Sequence, residues 1–131
     1  MPGIPNDPKL SQQWQFGNTE TPGFDLNILP AWQDYTGKGI TIAINDMGVD
    51  LTHPDLEANI NKDISYDDLT KKWGVNTIDG STILGSHGTM VAGCAAEVAN
   101  NGIGGVGAAY GATLAGFALD GSSDAATVQS L

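Results

Sequence analysis

The run Ile40-Thr41-Ile42-Ala43-Ile44 admits few folds. It is β-branched and apolar at nearly every position, where a strand with one wet face would alternate. A strand of this kind is expected to be buried on both faces of a parallel sheet. The turn Thr36-Gly37-Lys38-Gly39 leads into it, and the polar group Asn45-Asp46-Met47-Gly48 closes its carboxyl end. A second buried strand is expected over Ala112 to Leu119. Between the two, Thr89 to Ala99 is alanine-rich, with Met90, Val91, Cys94 and Val98 at helical spacing, and Asn100-Asn101-Gly102 stops it. Strand, helix and strand in this order predict a doubly wound α/β fold with a parallel sheet, whose reactive groups gather at the carboxyl ends of strands. A last helix over Ala125 to Leu131 is expected, capped by Ser122-Ser123-Asp124.

The flanking segments read differently. Residues 1–30 are rich in Pro, Asn and Gly, which predicts an extended arm with short turns. Trp14 and Trp32 are expected to pin that arm to the body, and Ile28 to Tyr35 could form a short helix. Val49 to Ser86 predicts surface loops with one short hairpin, and Asp63, Asp67, Asp68 and Asp79 are expected on a solvated surface. Cys94 is the single cysteine, so no internal disulfide can form, and its setting predicts a small buried core residue.

Charge narrows the partners. The chain has 131 residues, enough for one domain, and carries 15 acids against 5 lysines and no arginine, for a net charge of −10. Phosphate contacts need clustered Lys or Arg, so nucleic acid is an unsuited partner. The balance suits secretion, a cationic substrate, bound calcium or plain solubility. No apolar run approaches the ~20 residues of a membrane span. The first ten residues have no cationic start and no apolar h-region, which implies a cytoplasmic protein or a leader removed ahead of this numbering.

Asp46 and His87 are the candidate chemical pair. A carboxylate at a buried strand end needs hydrogen-bonding partners. His87 lies between Gly85-Ser86 and Gly88, and those glycines let other groups approach the imidazole. A carboxylate on the Nδ1–H of a histidine fixes its tautomer and leaves Nε2 as a general base. A satisfied structural histidine is the alternative. Three other arrangements are set aside. Gly102-x-Gly104-x-x-Gly107 follows a helix and precedes a strand, the reverse of a dinucleotide fingerprint. His53, His87, Asp46 and Asp55 lack metal-ligand spacing. Ser86 has no Gly-x-Ser-x-Gly elbow around it.

The words around these residues carry a resemblance. Ile40–Ile44 with Asp46-Met47-Gly48, then His53-Pro54-Asp55-Leu56, then Ser86-His87-Gly88-Thr89-Met90-Val91-Ala92-Gly93, resemble in order the blocks of the subtilisin-like serine proteases. Val98-Ala99-Asn100-Asn101-Gly102-Ile103-Gly104-Gly105-Val106-Gly107, Asp7-Pro8-Lys9 and Gln12-Gln13-Trp14 are similar to the kexin and furin branch. The resemblance covers nearly the whole chain and implies the N-terminal part of a peptidase catalytic domain, 1–131, with the arm at 1–30. By it, Asp46 is the orienting acid and His87 the general base of an Asp, His, Ser triad, in the order the family uses. The serine, the oxyanion-hole Asn and the floor of the specificity pocket would lie beyond Leu131, so the chain alone should be inert unless the C-terminal part of the same protease joins it.

The resemblance also implies a structural Ca2+ site. Asp7 and Asp55 would give carboxylates, Asn101 a side-chain oxygen, and Val98, Ile103 and Gly105 backbone carbonyls. Oxygen donors in this number suit calcium. The implied partner is a protein or peptide substrate, and the implied location is secreted, periplasmic or extracellular. Two departures weaken a strict dibasic preference: furin-like enzymes carry acids where this chain has Met47 and Ile83-Leu84-Gly85-Ser86. The competing expectations are a truncated, non-catalytic calcium-binding or interaction module of the same fold, and an unrelated α/β binding domain.

Overall fold

The computed structural model describes residues 3–119. The helix expected over Ala125 to Leu131, and its cap, lie outside the described residues. Four strands form one sheet: β1 (Thr41–Asp46), β2 (Tyr66–Asp67), β3 (Lys72–Trp73) and β4 (Thr113–Ala118), in the order β1-β4-β2-β3. β1 runs parallel to β4, with Ile42 opposite Leu114, Ile44 opposite Gly116 and Asp46 opposite Ala118. β2 is also parallel to β4, whereas β3 turns back antiparallel as the second arm of a hairpin. The sheet is thus mixed, a parallel α/β core with an antiparallel edge. Parallel neighbours need a crossover, and α1 (Ile83–Ala96) lies on the one between β1 and β4.

β4 is central and buried over Leu114–Ala118, as a continuous apolar run requires. β1 departs from the expected two-face burial. Ile44 is buried and Ile42 half-buried, while Thr41, Ala43 and Asn45 are exposed. The reason is its place at the edge of the described sheet, where α1 and the loop after β1 cover one face through Val49, Leu51, Leu56, Ala92 and Ala96.

The helix begins earlier than its hydrophobic pattern suggests. Thr82 is the N-cap, its Oγ1 accepting the amide of Gly85 at 2.9 Å, so His87 sits in the second turn and not at the start. It also ends earlier, at Ala96. The amides of Ala108 and Ala109 satisfy the carbonyls of Cys94 and Ala95 at 3.0 and 2.8 Å, which ties the returning chain to the helix end. Asn100 has φ 62° and Gly102 φ 78°, the left-handed backbone that the stop triplet implies.

The buried face of α1 is not the expected one. Gly85, Gly88, Ala92 and Ala96 turn inward, while Met90, Val91 and Cys94 are exposed, so the expectation of a buried Cys94 is corrected. Small side chains let the helix lie against the loop that follows β1, and a larger residue there would hold it off.

The arm is pinned by one of the two expected tryptophans. Trp32 is buried between Phe16 and Tyr110, with ring centroids 5.2 and 5.4 Å away in edge-on geometry, and its Nε1–H donates to the carbonyl of Ala108 at 2.8 Å. Trp14 is 61% exposed, so Phe16 holds the arm in its place. The expected helix over Ile28 to Tyr35 is a single 3-10 turn at Ala31–Gln33.

Two acids expected on a wet surface are interior. Asp67 and Asp68 are buried. Asp67 accepts from the amides of Leu69, Thr70 and Thr77 at 2.8, 3.1 and 2.6 Å and from the Thr77 hydroxyl at 2.5 Å. Burial alone would raise this carboxyl, but those donors outweigh it and hold it below the ordinary aspartate value. Asp68 meets Lys71 at 2.5 Å. The hairpin is therefore closed around a charge, which its local sequence does not reveal.

Candidate active site and cation loop

β1 delivers Asp46 at its carboxyl end, and α1 delivers His87. Nδ1 of His87 stands 2.7 Å from Oδ2 of Asp46. Oδ1 of Asp46 accepts the amide of Met47, also at 2.7 Å, so both carboxylate oxygens are held. A carboxylate can only accept, so Nδ1 carries the proton in this bond, and the imidazole presents Nε2 as its remaining polar atom. The His87 side chain is 53% exposed and that of Asp46 15%.

Gly88 makes this approach possible. A Cβ there would stand 2.3 Å from the Gly48 carbonyl oxygen and 2.9 Å from Cβ of Asp46. Thr89 adds a tie, its Oγ1 accepting the amide of Asp50 at 2.9 Å. Asn76 supports the same loop from the other side. Its Oδ1 accepts the amide of Val49 at 2.9 Å, and its Nδ2 donates to the carbonyls of Gly116 and Tyr66, each at 3.1 Å. The sequence reading missed Asn76, because its partners come from three separate elements and no local pattern marks it.

Among the described residues no three of His53, His87, Asp46 and Asp55 gather as a metal group. Nδ1 of His53 accepts the amide of Asp55 at 3.2 Å and so closes its own turn. Met47, one of the two departures from a furin-like pattern, is exposed beside Asp46, and Ile83 is exposed at the helix start.

The residues of the implied calcium set meet on one loop. Asp7 is buried and accepts the amides of Asn100, Asn101 and Gly102 at 2.7, 3.1 and 3.3 Å, which fastens the arm to the loop. Oδ1 of Asp55 accepts from Nδ2 of Asn101 at 2.6 Å, while the buried Oδ2 has no donor among the described residues. Among the described residues the carbonyls of Val98, Ile103 and Gly105 accept no hydrogen bond. Oδ1 of Asn101 accepts the amide of Ile103 at 3.1 Å, whereas Oδ2 of Asp55 and the three carbonyls are left without a donor, and oxygens of this kind fit a hard cation. Among the described residues no three of His, Cys, Asp or Glu gather as a metal cluster, so a cation here would draw on amide and carbonyl oxygens as well.

Glu97, where α1 gives way to the loop, was not singled out by its sequence. Its carboxyl is pushed up to about 7, first by burial and then by the hydrogen bond and charge of Asp55 beside it, against the pull of the Gly105 amide and Lys9.

The comparisons with known proteins follow this geometry. The model of the Subtilase family (Peptidase_S8) matches residues 37–130. Neuroendocrine convertase 2 of Bos taurus is 46% identical over 122 residues, covering 87% of this chain and 19% of the convertase. The PC3-like endoprotease variant B of Hydra vulgaris is 42% identical over 133 residues, covering 92% of this chain and 18% of that protein. The serine protease of Aeromonas sobria, solved in complex with the chaperone ORF2, superposes with a TM-score of 0.83 at 31% identity, over 99% of this chain and 23% of that one. The chain thus spans about a fifth of the length of the relatives it matches. A parallel sheet that sets an aspartate at a strand tip against a histidine on the next helix, together with these matches, places the chain in the subtilase family, on its kexin and furin-type branch.

Proposed function

We propose that this chain is the Asp- and His-bearing part of a secreted serine endopeptidase that hydrolyses peptide bonds through an acyl-enzyme. The observation that carries the reading is the 2.7 Å bond from His87 to Asp46, with the imidazole half-exposed on its other side. His87 takes the proton of the nucleophilic serine and returns it to the leaving amine, and Asp46 holds the tautomer and balances the imidazolium. The serine belongs to the part of the family fold that follows these two residues in chain order. A net charge of −10 favours cationic peptides, while Met47 and the stretch Ile83-Leu84-Gly85-Ser86 argue against a strict dibasic requirement. The intact protein is expected to cleave a chromogenic peptide with a basic residue before the scissile bond, and a fluorophosphonate should label it and stop it. Cleavage that survives full fluorophosphonate treatment would sink the reading.

Calcium belongs to the same proposal. Asp7, Asp55, Asn101 and the carbonyls of Val98, Ile103 and Gly105 would hold it, Asp7 also fastening the arm to the loop. Bound there, calcium supplies positive charge that joins the arm to the end of α1. Calcium at 100 times its Kd adds about 2.7 kcal/mol of stability, which raises Tm by roughly 5–20 °C for a domain of this size. The check is a melting curve in millimolar calcium against one in chelator, and identical curves count against the site. Should the intact protein lack the serine, the loop would still serve a non-catalytic calcium-binding or interaction module.

A further inference from the structure

We infer that Glu97 is a carboxylate ligand of this cation site, added to the set that the family resemblance implies. The inference rests on the calcium reading above and names a residue that the reading does not use. Asp55 is 2% exposed, and among the described residues its Oδ2 receives no hydrogen bond. The Glu97 carboxyl stands beside Asp55, and both carboxylates flank the backbone of Gly104. Two acidic groups side by side, one of them buried and the other half-buried, need either a shared proton or a cation. Lys9 is near enough to act on Glu97 but forms no ion pair with it among the described residues.

The loop presses directly on the pair. A Cβ at Gly104 would fall 1.7 Å from Oδ2 of Asp55 and 3.3 Å from Oε1 of Glu97, and one at Gly105 would fall 2.8 Å from Oε2 of Glu97. The backbone that carries the free Ile103 and Gly105 carbonyls is therefore packed against both carboxylates. Oxygen donors alone, with Glu97 joining the carboxylates of Asp7 and Asp55, select a divalent hard cation, and the number of ligand charges sets calcium Kd over several decades.

The test is calcium titration by calorimetry of the full chain, its Glu97→Gln variant and its Asp55→Asn variant, each stripped with chelator first. The wild type is expected to bind calcium, Asp55→Asn to lose binding, and Glu97→Gln to bind at least about tenfold more weakly, since a lost ligand charge should cost about 1.4 kcal/mol or more. Unchanged or tighter calcium binding by Glu97→Gln, with a wild type that binds, overturns the role of Glu97 and leaves the site itself standing. A wild type that binds no calcium at millimolar concentration removes both. A second reading needs no substitution. The glutamates are Glu20, Glu57 and Glu97, so a chain labelled with 13C at its glutamate carboxyls gives few resonances. Calcium should shift the Glu97 signal and leave that of exposed Glu20 in place. An unmoved Glu97 signal at saturating calcium overturns the inference even if the variant fails to fold.

Discussion

Replacing His87 with alanine in the intact protease is expected to lower kcat about a million-fold while leaving Tm within a few degrees of wild type. The size follows from the way a triad works as a unit, in which losing the base costs nearly as much as losing all three members. The small stability change follows from exposure: the imidazole is half in solvent, and Asp46 keeps the Met47 amide on its other oxygen. Asp46→Asn alone should cost about ten-thousand-fold, because an amide can turn its NH2 toward Nδ1 and favour the wrong tautomer. Added to His87→Ala it should cost almost nothing more, since the group it orients is gone. Steady-state kinetics on a chromogenic peptide, with single-turnover measurement to isolate the acylation step, provides the check. A drop of less than tenfold for His87→Ala would show that another group takes the proton.

The second large effect is expected from Gly88→Ala. On propensity alone the change should help, since alanine is favoured over glycine inside a helix by about 1 kcal/mol. The packing opposes it. The new methyl would stand 2.3 Å from the Gly48 carbonyl and 2.9 Å from Cβ of Asp46. Gly48 cannot retreat, because it has φ 96° and a Cβ built on it would lie 2.5 Å from the Thr77 carbonyl. Overpacking against backbone costs typically 1–3 kcal/mol or more, so the net loss should be about 2 kcal/mol. Tm should then fall by roughly 5–15 °C, and relief of the clash would draw His87 away from Asp46. A differential melt with a kcat measurement tests both arms. A stabilised Gly88→Ala protein would mean that the helix does not approach the β1 loop as closely as described.

The readable parts of this fold are those whose signal is local. The apolar runs at Ile40–Ile44 and Ala112–Leu119 became β1 and β4, and the alanine-rich stretch between them became α1. Asp46 and His87 could be paired before any coordinates, because the words around each are distinctive. What escaped the sequence depends on long-range contact. The inward face of α1 is made of Gly and Ala, which score weakly in any hydrophobic pattern, so Met90 and Cys94 looked like core and are not. Thr82 hid as a cap within a polar loop, and the helix start was placed too late. Asp67 looked solvated because its donors at Thr77 lie ten residues away across the hairpin. Two tryptophans of equal promise divided, one buried and one wet, by where Phe16 and Tyr110 happen to stand. Glu97 drew no notice because its meaning comes from Asp55, which reaches it through the fold.

A histidine carried in the second turn of a capped helix inherits the stiffness of that helix. Its backbone amide and carbonyl lie within the continuous i to i+4 ladder, so the position of the imidazole is averaged over many bonds. The Thr82 cap and a full first turn stand between the preceding segment and residue 87. The aspartate ends a paired strand, opposite Ala118. Proton transfer is steep in distance, and here both partners are carried by hydrogen-bonded elements, one a helix and the other a paired strand.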